Sequence, residues 1–144
     1  SICYRPFSGY GEDQDLNYPF PSICKRILQN KDKKRFTVWG SGNQMRDFIH
    51  IDDCVYGVIK SMNKIDNGDP LNLSNGIFLN FKDFAKKTAK IIGYNPKVVG
   101  TTNKPEGVFA RAGDTSKQKQ FGIKYKITLE NCIKKSLKFL DNKL

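Results

Sequence analysis

Val38-Trp39-Gly40-Ser41-Gly42-Asn43-Gln44-Met45-Arg46-Asp47-Phe48-Ile49-His50-Ile51-Asp52-Asp53 is the stretch whose reading decides the fold. An apolar run ends in a turn with two glycines, which let a backbone approach a ligand closely. Arg46 follows the turn, and Phe48, Ile49 and Ile51 form a short apolar strand behind it. Asp52 or Asp53 then caps a helix in which Val55, Val58, Ile59 and Met62 point inward. This order sets a guanidinium at the lip of a rigid element, where it can grip a phosphate through two hydrogen bonds. An ion pair with a flanking aspartate is the structural alternative for the same side chain. His50 alternates with Phe48 and Asp52 along the strand, which gives it a packed or hydrogen-bonded structural role.

Upstream, Ile2 to Phe7 reads as a buried strand, and Ser8 to Pro21 as a long loop rich in turn formers. Ser22 caps a helix over 23–29, and Phe36 to Trp39 is a strand. Downstream, Leu71 to Leu73 is a strand and Asn80 caps a helix with Asp83 three residues on. Gly93 occupies the position just past that helix, where a left-handed residue belongs. Lys97 to Val99 is a strand and Thr101 to Gly113 a polar loop, while Asp114-Thr115-Ser116 opens a short helix and Thr128 caps the last one. Strands alternate with helices throughout, so the fold class is mixed α/β with short strands and about five helices.

The composition narrows the function classes. A chain of 144 residues with 38% hydrophobic side chains and 17 aromatics can bury a small core of its own. No apolar run approaches the ~20 residues of a membrane span, so no membrane role is expected. The four cysteines are scattered without Cys-x-x-Cys spacing, and with one histidine they predict reduced thiols in a cytoplasmic protein and no metal site. The net charge of +11 comes from 20 Lys and 5 Arg, and many of the lysines fall at helix-surface spacing. Nucleic-acid readers favour the planar fork of arginine, so a solvated lysine face is expected rather than a nucleic-acid patch.

The quoted stretch resembles the substrate-domain signature of the extended short-chain dehydrogenases, the NAD(P)-dependent nucleotide-sugar epimerases, dehydratases and reductases. The resemblance implies that Arg46 contacts the diphosphate of a nucleotide-diphosphate sugar, with Trp39 beside it. A second run, Lys104-Pro105-Glu106-Gly107-Val108-Phe109-Ala110-Arg111-Ala112-Gly113-Asp114, resembles the GDP-sugar branch, which includes GDP-fucose synthases and GDP-mannose 3,5-epimerases. By that likeness Arg111 is a second diphosphate clamp, Asp114 a helix cap, and Lys104 and Glu106 sit at the rim. A third run, Tyr4 to Glu12, is similar to the family's Arg-x-x-Asn-x-Tyr-Gly-Pro element, with Ser8-Gly9 and Glu12 as departures. It implies that Phe7, Ser8 and Tyr10 line the sugar site. Asn17 and Tyr18 fall where some relatives place a catalytic acid, and no catalytic residue is assigned.

The resemblance covers 1–144 but corresponds to the C-terminal portion of a Rossmann-type enzyme about twice as long. Residues 1–11 match the last strand region of the dinucleotide domain, and 12–144 the nucleotide-sugar-binding domain. The sequence holds no Gly-x-x-Gly-x-x-Gly cradle for a pyrophosphate. Tyr56 and Lys60 have the spacing of the family's Tyr-x-x-x-Lys pair, but they come after the arginine signature on a helix read as core. The chain is therefore expected to bind no cofactor, although NAD or NADP serves the parent family, and to be inactive alone. Its partners are expected to be the missing N-terminal dinucleotide domain and, through an unpaired edge strand at 2–7, a second copy of itself. A basic nucleic-acid-binding module and a non-catalytic assembly domain are the alternative functions.

Overall fold

The computed structural model describes residues 1–101, 103–104 and 106–143. Its elements, in chain order, are β1 (Tyr4–Pro6), β2 (Gly9–Tyr10), α1 (Pro19–Gln29), β3 (Arg35–Trp39), β4 (Met45–Asp47), β5 (Ile49–His50) and α2 (Ile51–Ser61). They continue with β6 (Leu71–Leu73), β7 (Phe78–Asn80), α3 (Phe81–Ile91), β8 (Lys97–Thr101), β9 (Ala110–Arg111), α4 (Ser116–Gln120) and α5 (Leu129–Asp141). The strands form small sheets: the parallel pairs β1–β6, β2–β5 and β3–β8, and a three-stranded sheet ordered β7-β4-β9. In that last sheet β4 runs antiparallel to β7 and parallel to β9. The expected mixed α/β class with short strands and five helices holds among the described residues. No helix among them is long and apolar enough to cross a membrane.

Two cores carry the fold. The larger one joins Phe20, Ile23 and Ile27 of α1, Phe84 and Ala85 of α3, and Ile133 and Leu137 of α5 over Phe36 and Val38 of β3. Phe20 and Phe84 are almost fully buried, with ring centroids 4.9 Å apart. Each such burial contributes roughly 1.5–3 kcal/mol. The smaller core gathers Ile49, Cys54, Ile65, Leu71, Leu73 and Ile123, with Tyr4 of β1 packed against it.

Local signals explain most boundaries. Asn80 Oδ1 accepts from the Asp83 N–H at 2.7 Å, and Thr128 Oγ1 from the Asn131 N–H at 3.2 Å, so both caps are where the sequence puts them. Gly93 follows α3 at φ 71°, a conformation that costs a glycine little. The first helix differs: it begins at Pro19 rather than after Ser22, with no side-chain cap. Proline's fixed φ suits the first helical position, where its missing N–H has no partner to lose.

The segment after Arg46 departs further from its sequence reading. It is two strands, β4 and β5, broken at Phe48, and Ile51 already belongs to α2. Neither Asp52 nor Asp53 caps that helix. His50 does, its Nδ1 accepting from the Asp52 N–H at 3.2 Å. Asp53 is buried and accepts instead from the Lys126 and Ile127 N–H groups, at 3.3 and 3.2 Å, which ties α2 to the segment before α5. The inward face of α2 also differs from the expected one at three of its four residues. Cys54, Gly57 and Ser61 face the smaller core and Val58 packs against it as expected, while Val55, Ile59 and Met62 are 49%, 64% and 50% exposed. The cause is close packing: a Cβ on Gly57 would fall on the Leu73 side chain, so α2 turns its small residues toward β6.

Candidate functional site

The glycine turn between β3 and β4 builds one wall of a cleft. Gly40 and Gly42 adopt φ of 65° and 74°, which L side chains rarely reach. A Cβ on Gly40 would also run into Gln44 and Glu106, so the turn is closed around those two side chains. Gln44 is 1% exposed, and its Nε2 donates to the carbonyls of Trp39 and Glu106, both at 3.1 Å. The Glu106 carboxylate accepts from the Ser41 hydroxyl and, at 3.3 Å, from the Ser41 N–H. Gln44 and Ser41 thus clasp the segment around Glu106 onto the end of β3. Pro105, within the second motif, lies outside the described residues.

Arg46 leaves β4 beside this clasp. Its guanidinium lies 5.3 Å from the centre of the Phe81 ring and donates to the Met45 carbonyl at 2.8 Å. Arg46 and Arg111 are register partners on the adjacent parallel strands β4 and β9, so their side chains leave the same face of the sheet. Among the described residues no carboxylate lies within 4.0 Å of either guanidinium. Partial burial and then the charge of Arg111 push the Arg46 pKa below its ordinary value. The ion pair with a flanking aspartate does not form, because Asp47 is buried and already accepts from the Ser74 hydroxyl and from the N–H groups of Asn75 and Gly76, at 3.0 and 2.8 Å.

Two cavities meet at Arg46. One is walled by Pro19, Arg26, Trp39, Gln44, Phe81 and Glu106 as well as Arg46. The other is walled by Ser8, Gln14, Tyr18, Phe48 and Arg111 as well as Arg46. The first is largely apolar and opens past Trp39, which is 54% exposed, and Lys104 Nζ sits 5.6 Å from the centre of the Trp39 ring. The second carries a backbone outlier: among the described residues Ser8 is the non-glycine residue at positive φ, 42°. Such strain marks sites where geometry is held for a purpose.

Of the residues singled out from sequence, Arg46, Arg111, Ser8 and Trp39 come together around these cavities, and Lys104 stands at the mouth. Phe7 is set back: its ring packs where a Cβ on Gly113 would stand. Tyr10 is 4% exposed, stacked on Phe20 at 4.0 Å, and belongs to the larger core rather than to either cavity wall. Its strand β2 alternates sides, and the phenol is turned inward, where burial raises its pKa strongly. His50 is buried, with Nε2 3.3 Å from Glu12 Oε2, so the N–H on that nitrogen has a partner while Nδ1 caps α2. Gln44 and Phe81 were not singled out. Gln44 lay inside the quoted motif and Phe81 in a helix stripe, and the signal in each case is a polar or aromatic residue flanking the arginine.

The parallel strand pairs, the helices between them and the twin-arginine cleft place this chain in the Rossmann-related α/β class. The sequence profile described as NAD dependent epimerase/dehydratase family matches residues 1–75, and the chain belongs to that family. It is 31% identical over 140 residues to the GDP-L-fucose synthase of Escherichia coli (strain K12), a match covering 87% of this chain and 44% of that protein. It is 26% identical over 149 residues to the Putative GDP-L-fucose synthase 2 of Arabidopsis thaliana, covering 99% of this chain and 45% of that one. The structure superposes on RMD from Pseudomonas aeruginosa complexed with NADPH with a TM-score of 0.85 at 18% identity, over 99% of this chain and 49% of that one. It also superposes on the UDP-glucuronic acid 4-epimerase of Bacillus cereus, solved with UDP-glucuronic acid and NAD, with a TM-score of 0.83 at 23% identity, over 99% and 46% of the two chains. The chain therefore spans about half the length of the relatives it matches.

Proposed function

We propose that this chain is the nucleotide-sugar-binding part of an NAD(P)-dependent sugar-nucleotide epimerase, dehydratase or reductase, with a GDP-sugar as ligand. The observation that carries the reading is the junction at Arg46. Two like charges side by side without a carboxylate are unfavourable unless an anion sits between them. A diphosphate supplies that anion, and the cavities on its two sides suit a base against Trp39 and Phe81 and a sugar against Ser8 and Tyr18. The GDP-L-fucose synthases among its relatives favour guanine as the base.

The described residues do not suit a dinucleotide. A pyrophosphate needs free N–H groups at a helix N-terminus that follows a strand directly. The helices placed in that way, α2 and α3, carry Asp52 and Asp53 or Asp83 in their first turns, and their leading N–H groups are already capped. Carboxylates there repel a pyrophosphate. In this reading the cofactor belongs to a dinucleotide half, residues 1–11 are the strand that leads from that half, and 144 residues alone give no turnover.

Calorimetry with GDP, UDP and inorganic pyrophosphate tests the reading on the chain as it stands. GDP is expected to bind more tightly than UDP, and pyrophosphate to compete with it. Absence of binding by all three overturns the assignment.

A further inference from the structure

We propose that Asp47, Ser74 and Gly113 form a buried tie that sets the spacing of Arg46 and Arg111, which makes Asp47 and Ser74 positioning residues for the diphosphate; the inference rests on the reading of the cleft above. Successive side chains on a strand leave opposite faces. Arg46 displays its guanidinium to the cleft, and Asp47, the next residue of β4, enters the interior, where it is fully buried. Among the described residues no lysine or arginine lies within 4.0 Å of its carboxylate. A buried carboxylate without a cation is expensive and persists where hydrogen bonds hold it. Here the Ser74 hydroxyl and the N–H groups of Asn75 and Gly76 do so. All three donors belong to the segment that follows β6, so one carboxylate fixes that segment to the arginine strand.

Ser74 passes the tie on to β9. Its Oγ accepts from the N–H of Gly113, two residues beyond Arg111, at 3.3 Å. Gly113 is pinched there: a Cβ on it would stand 2.8 Å from the Phe7 ring and 2.9 Å from the Ser74 Cβ, so the seat needs glycine. Gln118 of α4 grips Ser74 through the backbone, its Oε1 accepting from the Ser74 N–H at 3.3 Å and its Nε2 donating to the Ser74 carbonyl at 2.6 Å. β9 needs such an anchor. It is two residues long, both are exposed, and its one partner among the described strands is the three-residue β4. Strands that short do not hold a register by themselves. Phe7 extends the tie to the second cavity. Its N–H donates to the carbonyl of Leu73, the residue before Ser74, at 2.9 Å, and the strained Ser8 follows it into the cavity wall. Two arginines from strands far apart in sequence, and the wall opposite them, are thus referred to one buried hydroxyl.

Cross-linking tests the tie. Cys3, the exposed thiol, is removed as Cys3→Ser, and Arg46→Cys and Arg111→Cys are combined in that background. Disulfide closure by oxidised glutathione is then timed with Ser74 intact, with Ser74→Ala and with Asp47→Asn. Adjacent strands lie roughly 4.8 Å apart, within disulfide reach, so closure is expected to be prompt with Ser74 intact. It is expected to be at least tenfold slower in both variants. Equal rates in the three proteins overturn the proposal, as does a pair that fails to close with Ser74 intact. Cys24, Cys54 and Cys132 are buried, and their protection from maleimide reports the fold. Exposure of these thiols in both variants overturns the proposal too, because the tie then holds the core and not the spacing. Calorimetry with GDP and with inorganic pyrophosphate, on chains that keep both arginines, reads the consequence. Ser74→Ala is expected to weaken both ligands at least fivefold, and less than twofold when Arg111→Ala is already present, since the tie acts through that arginine. Equal losses in the two backgrounds overturn it. Cross-linking needs no ligand: absence of binding by the parent strikes the cleft assignment, whereas equal closure rates with binding intact strike the tie.

Discussion

Arg46 on β4 and Arg111 on β9 face each other as register partners of a parallel strand pair, and no described carboxylate lies within 4.0 Å of either. The arrangement costs the free chain electrostatic energy, since the charge of Arg111, after partial burial, lowers the pKa of Arg46. Arg46→Ala and Arg111→Ala are each expected to weaken GDP binding by about 1.5–3 kcal/mol, the range for a hydrogen bond to a charged group. If both groups contact one diphosphate, as proposed, the losses in the double variant are expected not to add. The free Arg111→Ala chain is expected to melt no lower than the parent, because a like charge has been removed. Calorimetry and thermal melts together check this. A lower melting temperature with unchanged GDP affinity would assign Arg111 a structural role instead.

How much of this arrangement was legible in the sequence can be read from the same residues. Arg46 was visible because a glycine turn and an apolar strand fix its base, and both are local signals. That Arg111 joins Arg46 came from the resemblance alone; the strand pairing that brings them together was not visible, because 65 positions of chain separate two strands of two and three residues. Short strands carry too few alternations to reveal their partners. Helix caps at Asn80 and Thr128 were readable because capping is decided within four residues. The α2 face was misread for the opposite reason. Its apolar stripe is real, but the periodicity records that a face is apolar and not which surface covers it. Tyr10 was placed in the sugar site by resemblance, while its burial follows from an aromatic cluster with Phe20 and Phe48 that assembles through tertiary packing.

Gln44 holds the cleft together through its two Nε2 hydrogen bonds. Gln44→Leu leaves the Trp39 and Glu106 carbonyls unpartnered and is expected to cost about 1–3 kcal/mol in urea denaturation. It is also expected to speed proteolysis within 103–110 and to weaken GDP binding. Ser41→Ala, which removes an exposed hydroxyl contact with Glu106, is expected to stay within about 0.5 kcal/mol of the parent. Equal stability for Gln44→Leu and the parent would remove Gln44 from this role.

His50 illustrates a titratable residue whose task is structural. His50→Ala is expected to lose about 0.5–2 kcal/mol of stability, the worth of an N-cap, and His50→Asn to keep most of it. GDP affinity is expected to be the same in the parent and in His50→Asn. A fall in affinity without a fall in stability would instead connect His50 to the ligand.

Alkaline pH tests the buried thiols. Burial pushes Cys24 up to about 12 and Cys54 up to about 11, and raises Cys132 as well. In the unfolded chain these thiols ionise near about 8.5. Above that pH the unfolded state sheds protons that the folded state still holds, so stability is full below about 8.5 and falls as pH rises toward the folded values. The urea midpoint is therefore expected to be lower at pH 10 than at pH 7.5. Cys24→Ala is expected to flatten that slope whatever it does to the midpoint at pH 7.5. Exposure separates the fourth thiol, since Cys3 is open to solvent while Cys24, Cys54 and Cys132 are buried. Ellman's reagent at pH 8 is expected to titrate one thiol promptly in the folded chain and four in denaturant, and prompt reaction of two or more in the folded chain would show that one of the two cores is looser than its packing indicates.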